Sequence, residues 1–362
     1  MRNSISILFL VVLLTGCLKE DPLNLPYHSF VPQDIDDGHS LSNPSAEAMD
    51  SLALSGIYQS VNSNPDLWSI RSMLVFRNGK LVSEAYFKDE NDITTRHLIW
   101  SCTKQVMGVL TGIAFEEEII TSLEDPISEY LTTEIEGHTD KKDITIYELI
   151  TMQSGIDYNN DGGGGETDLM LRQIPENSVD FVLSLSMHAQ PGTSFYYKDG
   201  DPHLLSAIIQ KQVGKPTDVW ADEVLFSKIG FENYNWVRYK DGITHGGYGI
   251  ETTPRELAKI ALCVADSGRW KNEQIISANW INEMTTPKAV PDDYDYVMGY
   301  YWWIDPSNDI SFMNGHGGQY AFIVPSKKLL VVMTAFPNTQ GDYQIEADQA
   351  LEVVYRIMDT AY

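Results

Sequence analysis

Cysteine is scarce, with three residues in 362, at positions 17, 102 and 263. No C-x-x-C pair and no H-E-x-x-H occurs, so there is no strong zinc signal. Basic side chains are also few: 25 Lys and Arg stand against 51 Asp and Glu, a net charge of −26. Nucleic acid and anionic membrane surfaces are poor partners for such a surface. Internal repeats are absent. Beyond the first residues, no apolar run is long enough to span a bilayer. What remains is ordinary globular composition, 43% hydrophobic and 21% charged, with length for one large domain or two smaller ones.

The first residues read as a targeting segment. Met1-Arg2-Asn3 supplies a positive charge, Ile5 to Leu14 is a short apolar run, and Leu14-Thr15-Gly16-Cys17 closes it with small residues. That ending resembles a bacterial lipobox, which implies a signal peptide over 1–16 and lipidation of Cys17 as the mature N-terminus. A plain signal peptide cut nearby is the other reading. Cys17-Leu18-Lys19-Glu20-Asp21 also resembles the signal of surface-exposed lipoproteins in one group of Gram-negative bacteria. The expected location is an outer membrane, facing the periplasm or the cell surface. Residues 17–45 are rich in Pro, Asp and Ser without an apolar period and are expected as a tether. Cys102 and Cys263 are expected as two buried, unpaired thiols.

The stretch Leu98 to Ile120 organises the rest. It holds Ser101-Cys102-Thr103-Lys104, the only place where Lys follows Ser by three positions. Val106, Met107, Val109, Leu110, Ile113, Ala114 and Phe115 then recur at helical spacing, so the stretch predicts a largely buried helix. Gly108 and Gly112 point to a close neighbouring element. Positions three apart share a helix face, so Ser101 and Lys104 sit together on the first turn, beside free backbone N–H groups. A hydroxyl, an amine and N–H donors are the parts of an acyl-transfer site. The motif alone also fits a capping Ser with a solvated Lys.

Along the chain, Pro44 to Asn64 predicts a first helix with Met49, Leu52, Leu54, Ile57 and Tyr58 on one side. Met73–Arg77 and Lys80–Phe87 predict a hairpin around Asn78-Gly79. Asp157 to Asp168 matches the first half of a calcium loop, with Asp168 where a bidentate Glu is usual. Its four consecutive glycines and the missing Glu favour a flexible acidic loop instead. A helix is expected from Leu204 to Val213, and another opens at the capping box Thr253-Pro254-Arg255-Glu256. Met298–Ile304, Phe312–Asn314, Tyr320–Val324 and Leu329–Ala335 predict strands, and Ile345–Met358 a final helix. Strands at both ends with helices between imply an α+β fold: one antiparallel sheet built from distant segments, with a helical insertion.

Two further motifs stand with Ser101. Tyr197-Lys198-Asp199 follows Pro191-Gly192-Thr193-Ser194-Phe195, and Gly315-His316-Gly317-Gly318-Gln319 precedes a hydrophobic strand. The order Ser-x-x-Lys, Tyr, Gly-rich strand resembles the serine β-lactamase and penicillin-binding-protein superfamily. The branch resembled holds class C β-lactamases, D,D-peptidases, β-lactamase-like esterases and 6-aminohexanoate-oligomer hydrolases. The resemblance covers about Met73 to Phe336. It implies a hydrolase domain over 46–362, with a sheet subdomain (46–120 and 241–362) and a helical subdomain (121–240). It also implies a Ser101 nucleophile, a Lys104 base, and a Tyr197 that passes the proton to the leaving group, with Tyr196 a rival for that role. Backbone N–H groups of Ser101 and Gln319 would form the oxyanion hole, and Asp199, His316, Gly317 and Gly318 would line the substrate cleft. No metal or other cofactor is implied. The expected partners are a small-molecule or peptide-like substrate and, through the lipid, a membrane.

The third motif carries His316-Gly317 where many members have Lys-Thr, and Asp199 stands where the family has Asn. A carboxylate cannot donate the amide hydrogen bond an Asn gives to a substrate carbonyl. Both departures point away from efficient β-lactam hydrolysis and toward an esterase, amidase or D-amino-acid peptidase. A carboxylate beside Lys104 would also oppose the neutral amine that a base must be. Asp199 is therefore expected to point away from Lys104 or to be held by another donor such as Lys198. A non-catalytic cell-wall or ligand-binding relative that keeps the cleft is the rival reading.

Overall fold

The computed structural model describes residues 30–159, 166–173, 176–292, 295–336 and 344–362. The expected signal peptide, Cys17 and the centre of the calcium-like loop lie outside them.

The Asn78-Gly79 hairpin forms one edge of the main sheet. β1 (Ile70–Arg77) and β2 (Lys80–Tyr86) pair antiparallel, and both turn residues take positive φ, 53° and 75°. A two-residue turn of this hand matches strand twist, and Asn and Gly adopt it at least cost. The other strands come from the far end of the chain: β3 (Val297–Met298), β4 (Trp303–Asp305), β5 (Ile310–Gly315), β6 (Gln319–Val324) and β7 (Leu329–Ala335). The order across the sheet is β2-β1-β7-β6-β5-β4-β3, antiparallel throughout. Pairing of β1 with β7 joins the two ends of the folded chain. β1, β6 and β7 are buried along their whole length, so both sheet faces are covered.

Six helices matter here: α1 (Ser51–Ser63), α2 (Cys102–Glu116), α3 (Glu166–Gln173), α4 (Gly200–Val213), α5 (Pro254–Ala265) and α6 (Ala347–Met358). α5 packs on β6 and β7, α1 packs on α6, and α2 contacts both β5 and α4. Every residue of α2 from Cys102 to Ala114 is buried. Its glycines allow that. A Cβ on Gly108 would lie 2.7 Å from the Tyr300 carbonyl oxygen, and one on Gly112 2.3 Å from the Trp280 ring. Trp280 Nε1 donates to the Gly108 carbonyl at 3.1 Å. This close approach offsets the roughly 1 kcal/mol that each mid-helix glycine costs. Cys102 and Cys263 are free and buried, as expected from the place of Cys102 beside Ser101 at a buried helix start.

Two expectations fail near the N-terminus. The helix expected from Pro44 is a short turn, Pro44–Glu47, broken by Ala48 at φ 56°. α1 starts afresh where the Asp50 carboxylate accepts from the N–H groups of Leu52 and Ala53. That cap resets the helix face and leaves Leu52 exposed while Leu54, Ile57, Tyr58 and Val61 are buried. The tether is also shorter than 17–45, because residues from Phe30 onward pack on the domain. The buried Arg255 donates to Asp37 and to the Gln33 carbonyl, Glu84 N–H donates to the Phe30 carbonyl, and Ser42 N–H donates to the Leu81 carbonyl. These are polar and backbone contacts, which leave no apolar period to read.

Candidate active site

The approach to Ser101 is pinned by pairing. His97 and Leu98 pair antiparallel with Thr252 and Glu251, and Ile99 N–H donates to the Ile250 carbonyl at 2.9 Å. Trp100 then takes a left-handed φ of 50° and turns the chain into α2. A non-glycine residue held there costs on the order of 1–2 kcal/mol, and such strain gathers at functional sites. Ser101 occupies the N-cap of α2, yet its side chain makes no capping hydrogen bond. Its Oγ instead accepts from Lys104 Nζ at 3.0 Å.

Lys104 is fully buried, and its ammonium has three acceptors: Ser101 Oγ, the Gly247 carbonyl at 2.8 Å, and Asp199 Oδ1. Three donors are all an ammonium has. Burial by itself pushes the Lys104 pKa down, but the Asp199 carboxylate, followed by Tyr197 and Asp168, outweighs it and holds the group above its usual value. Tyr197 completes the cluster. Lys104 Nζ lies 4.8 Å from its ring centre, and its phenol lies beside the Ser101 hydroxyl. Burial raises the Tyr197 pKa, and the Lys104 charge and the Ser101 hydrogen bond only partly offset that. Tyr196 is directed elsewhere, stacked on His188 at 5.4 Å.

Asp199 contradicts its expectation, since it faces Lys104 rather than pointing away. Lys198 is not its partner, because that ammonium turns to Ser154 Oγ at 3.2 Å and Asp201 Oδ2 at 3.4 Å. Burial pushes the Asp199 pKa up. The Lys104 charge and a hydrogen bond from Asp168 outweigh that and hold it low.

The His316-Gly317-Gly318 motif lies in the turn between β5 and β6, with Gly317 and Gly318 at φ 81° and 105°. A Cβ on Gly318 would come within 2.9 Å of the Cβ atoms of Ala335 and Ile345. The His316 ring meets Trp100 edge-on at 5.2 Å. Cys102 Sγ donates to the Gln319 carbonyl at 3.3 Å, which seats the start of β6 on the start of α2. Ser101, Lys104, Tyr197 and Asp199 thus share one cluster, with His316 and Gln319 beside it.

The sequence reading missed other members of the site. His245 Nδ1 accepts from the N–H groups of Gly247 and Tyr248 at 3.0 and 3.1 Å, fixing the turn whose carbonyl holds Lys104. Asp168 and Arg172 reach the cluster from α3. Arg172 Nη2 pairs with Asp168 Oδ2 and lies 3.7 Å from Asp199 Oδ2. The Arg172 guanidinium lies over the Tyr248 ring at 4.2 Å and over Trp100 at 5.4 Å. The i,i+4 spacing of Asp168 and Arg172 was the available signal. It was obscured by the calcium-loop pattern, of which residues 160–165 lie outside the described residues.

The Beta-lactamase family model matches residues 70–355. The chain is 21% identical over 315 residues to the 6-aminohexanoate-dimer hydrolase of Paenarthrobacter ureafaciens, covering 78% of this chain and 79% of that one. Its fold is similar to a provisionally assigned 6-aminohexanoate-dimer hydrolase from Bacillus anthracis, with TM-score 0.71, 20% identity, and coverage of 90% and 86% of the two chains. It is similar as well to a penicillin-binding protein from Bacillus halodurans, with TM-score 0.66, 16% identity, and coverage of 83% and 99%. The chain therefore belongs to the Beta-lactamase family, within the serine hydrolase superfamily that also holds the penicillin-binding proteins.

Proposed function

We propose that this protein hydrolyses an ester or amide through an acyl-enzyme on Ser101. The observation that carries the reading is the buried Lys104 ammonium donating to Ser101 Oγ at 3.0 Å, with the Tyr197 ring centre 4.8 Å from the same nitrogen. A serine hydroxyl is a weak nucleophile until a neighbouring base takes its proton. In the reacting form, Lys104 has released one proton. Ser101 Oγ attacks the substrate carbonyl carbon while its own proton passes to the Lys104–Tyr197 pair. Backbone N–H groups of Ser101 and Gln319 receive the developing oxyanion. Tyr197 returns the proton to the leaving oxygen or nitrogen as that bond breaks. Water then attacks the Ser101 ester and gives its proton to the same pair, which returns a proton to Ser101 Oγ as the Oγ–acyl bond breaks and the acid leaves.

The substrate reading follows from Asp199 and His316. Asp199 offers no amide donor, and its carboxylate is committed to Lys104. The Gly-rich turn carries His316 rather than a lysine. A carboxylate next to the scissile bond, as in a β-lactam, finds little to hold it. An esterase, amidase or D-amino-acid peptidase fits better than an efficient β-lactamase. The 6-aminohexanoate-dimer hydrolase named among the relatives supports an acyl group other than a β-lactam. The rival reading, a non-catalytic cell-wall or ligand-binding relative, draws on the hold of Asp199 on Lys104. Reaction with a fluorophosphonate or a fluorescent penicillin, followed by intact mass, separates the two: one covalent adduct supports hydrolysis, and none supports binding alone. A screen of short-chain p-nitrophenyl esters, D-amino-acid amides and nitrocefin then identifies the acyl group.

The protein is further proposed to be exported and held to an outer membrane by lipid on Cys17. No helix among the described residues is long and apolar enough to cross a membrane. A lipid on Cys17 would supply the membrane affinity.

A further inference from the structure

Asp168 is a buried carboxyl to which the reaction just described gives no task. It stands on α3, four residues before Arg172, and both side chains turn toward Asp199. One guanidinium nitrogen of Arg172 lies within ion-pair reach of both carboxyls, and the other oxygen of Asp199 takes Lys104. The Tyr158 hydroxyl donates to Asp168 Oδ1 at 3.0 Å. Lys104, Asp199 and Asp168 are almost wholly shut from solvent, with side-chain exposures of 0%, 2% and 0%. Two carboxyls that share one guanidinium nitrogen in so buried a place influence each other's ionisation, and the second proton leaves at a pH that belongs to the pair.

We propose that Asp168 is a positioning residue for Lys104, acting through Asp199: the two carboxyls hold one proton between them, and that proton sets the charge Lys104 faces. With the proton present, Asp168 donates to Asp199 and disperses its charge, so Lys104 releases its own proton more readily. With the proton gone, two carboxylates flank the ammonium and retain it. This deepens the hydrolase reading and rests on it for its catalytic consequence.

The other groups packed around the pair leave Asp168 as the one that titrates in the working range. Burial, then the charge of Asp199 and the hydrogen bond between the two carboxyls, push Asp168 up to about 8. His203 on α4 is pushed down to about 4 by burial, and His245 well below its ordinary value, so both stay neutral. Burial raises the phenols of Tyr158, Tyr197, Tyr239 and Tyr248, the last to about 12. Asp199 is held low and Lys104 high. The Arg172 guanidinium faces both carboxyls, and the charge of Asp241 acts on His203. Among the described residues of this site, Asp168 therefore changes charge near neutral pH.

The test has two arms. Carbon-13 NMR of aspartate-labelled wild-type protein should show one carboxyl titrating near pH 8, and that signal should vanish in Asp168→Asn. The pH profile of fluorophosphonate labelling at Ser101 should move to lower pH in Asp168→Asn, by on the order of one unit. Absence of any carboxyl titrating between about pH 6 and about pH 9 in the wild type would overturn the proposal without recourse to a variant. Superimposable labelling profiles in a folded Asp168→Asn would overturn the link to Lys104. A titrating carboxyl in a protein that never labels would count for the carboxyl pair and against the hydrolase reading.

Discussion

Lys104 and Asp199 form a buried ion pair at the very nitrogen that donates to Ser101 Oγ. The family's Asn carries no such charge at this position. The pair fixes the ammonium form of Lys104 and holds it in line with the nucleophile. A neutral amine is needed to accept the Ser101 proton, so the same contact opposes the reacting state.

Asp199→Asn removes the carboxylate that holds the Lys104 pKa up and leaves burial, which pushes it down. The kcat/KM profile is expected to rise with pH in the wild type and to shift to lower pH in the variant. Profiles that superimpose would show that Asp199 does not govern the base. A large loss at every pH would show that the carboxylate has a positive catalytic role.

Folding stability should depend on pH through the same cluster. Asp168 rises from an ordinary 3.8 to about 8 in the folded chain. Its contribution is complete below the unfolded value and is lost as pH rises through the folded one. His203 and His245 act in the other direction. Their folded values lie below 6.5, so their contribution is present above about 6.5 and lost as pH falls toward 4. Urea midpoints should therefore fall between about pH 6.5 and about pH 8.5 in the wild type and stay flatter in Asp168→Asn. Equal slopes in the two proteins would contradict the assignment.

Gly112 offers a test of packing. A methyl group there would lie 2.3 Å from the Trp280 ring. Overpacking of this kind costs about 1–3 kcal/mol, against roughly 1 kcal/mol gained in helix propensity. Gly112→Ala should lower the melting temperature, and unchanged or higher stability would mean that Trp280 moves aside freely.

How much of this was legible in the sequence depended on the kind of interaction. Ser101 and Lys104 were readable because a helix brings residues three apart together, and the Asn78-Gly79 turn because few residues take its backbone angles. The last three strands were readable as apolar runs between turns, but the run Met298–Ile304 is two short strands, Val297–Met298 and Trp303–Asp305, broken where Tyr301 takes φ 62°. Residues 30–45 were not, because Asp37 and Gln33 are held by Arg255, far away in sequence and without periodicity. The charge cluster was half readable. Asp199 was noticed as a departure, but its direction depends on how the turn before α4 meets α2. Asp168 was noticed as the end of a calcium-like pattern, while the side chains it meets among the described residues include Arg172 and Tyr158.

The proposed anchor rests on Cys17 alone. Cys17→Ser should move the protein from the membrane to the soluble fraction, because a thioether-linked lipid supplies the affinity. A variant that still sediments with membranes would show another means of attachment.

The central claim is that Ser101 is the nucleophile. Intact mass after incubation with a fluorophosphonate tests it most directly, comparing wild type with Ser101→Ala. One covalent adduct on the wild type and none on an equally folded Ser101→Ala protein is the predicted result. An adduct of equal yield on both proteins, or substrate hydrolysis by Ser101→Ala at the wild-type rate, would contradict the account.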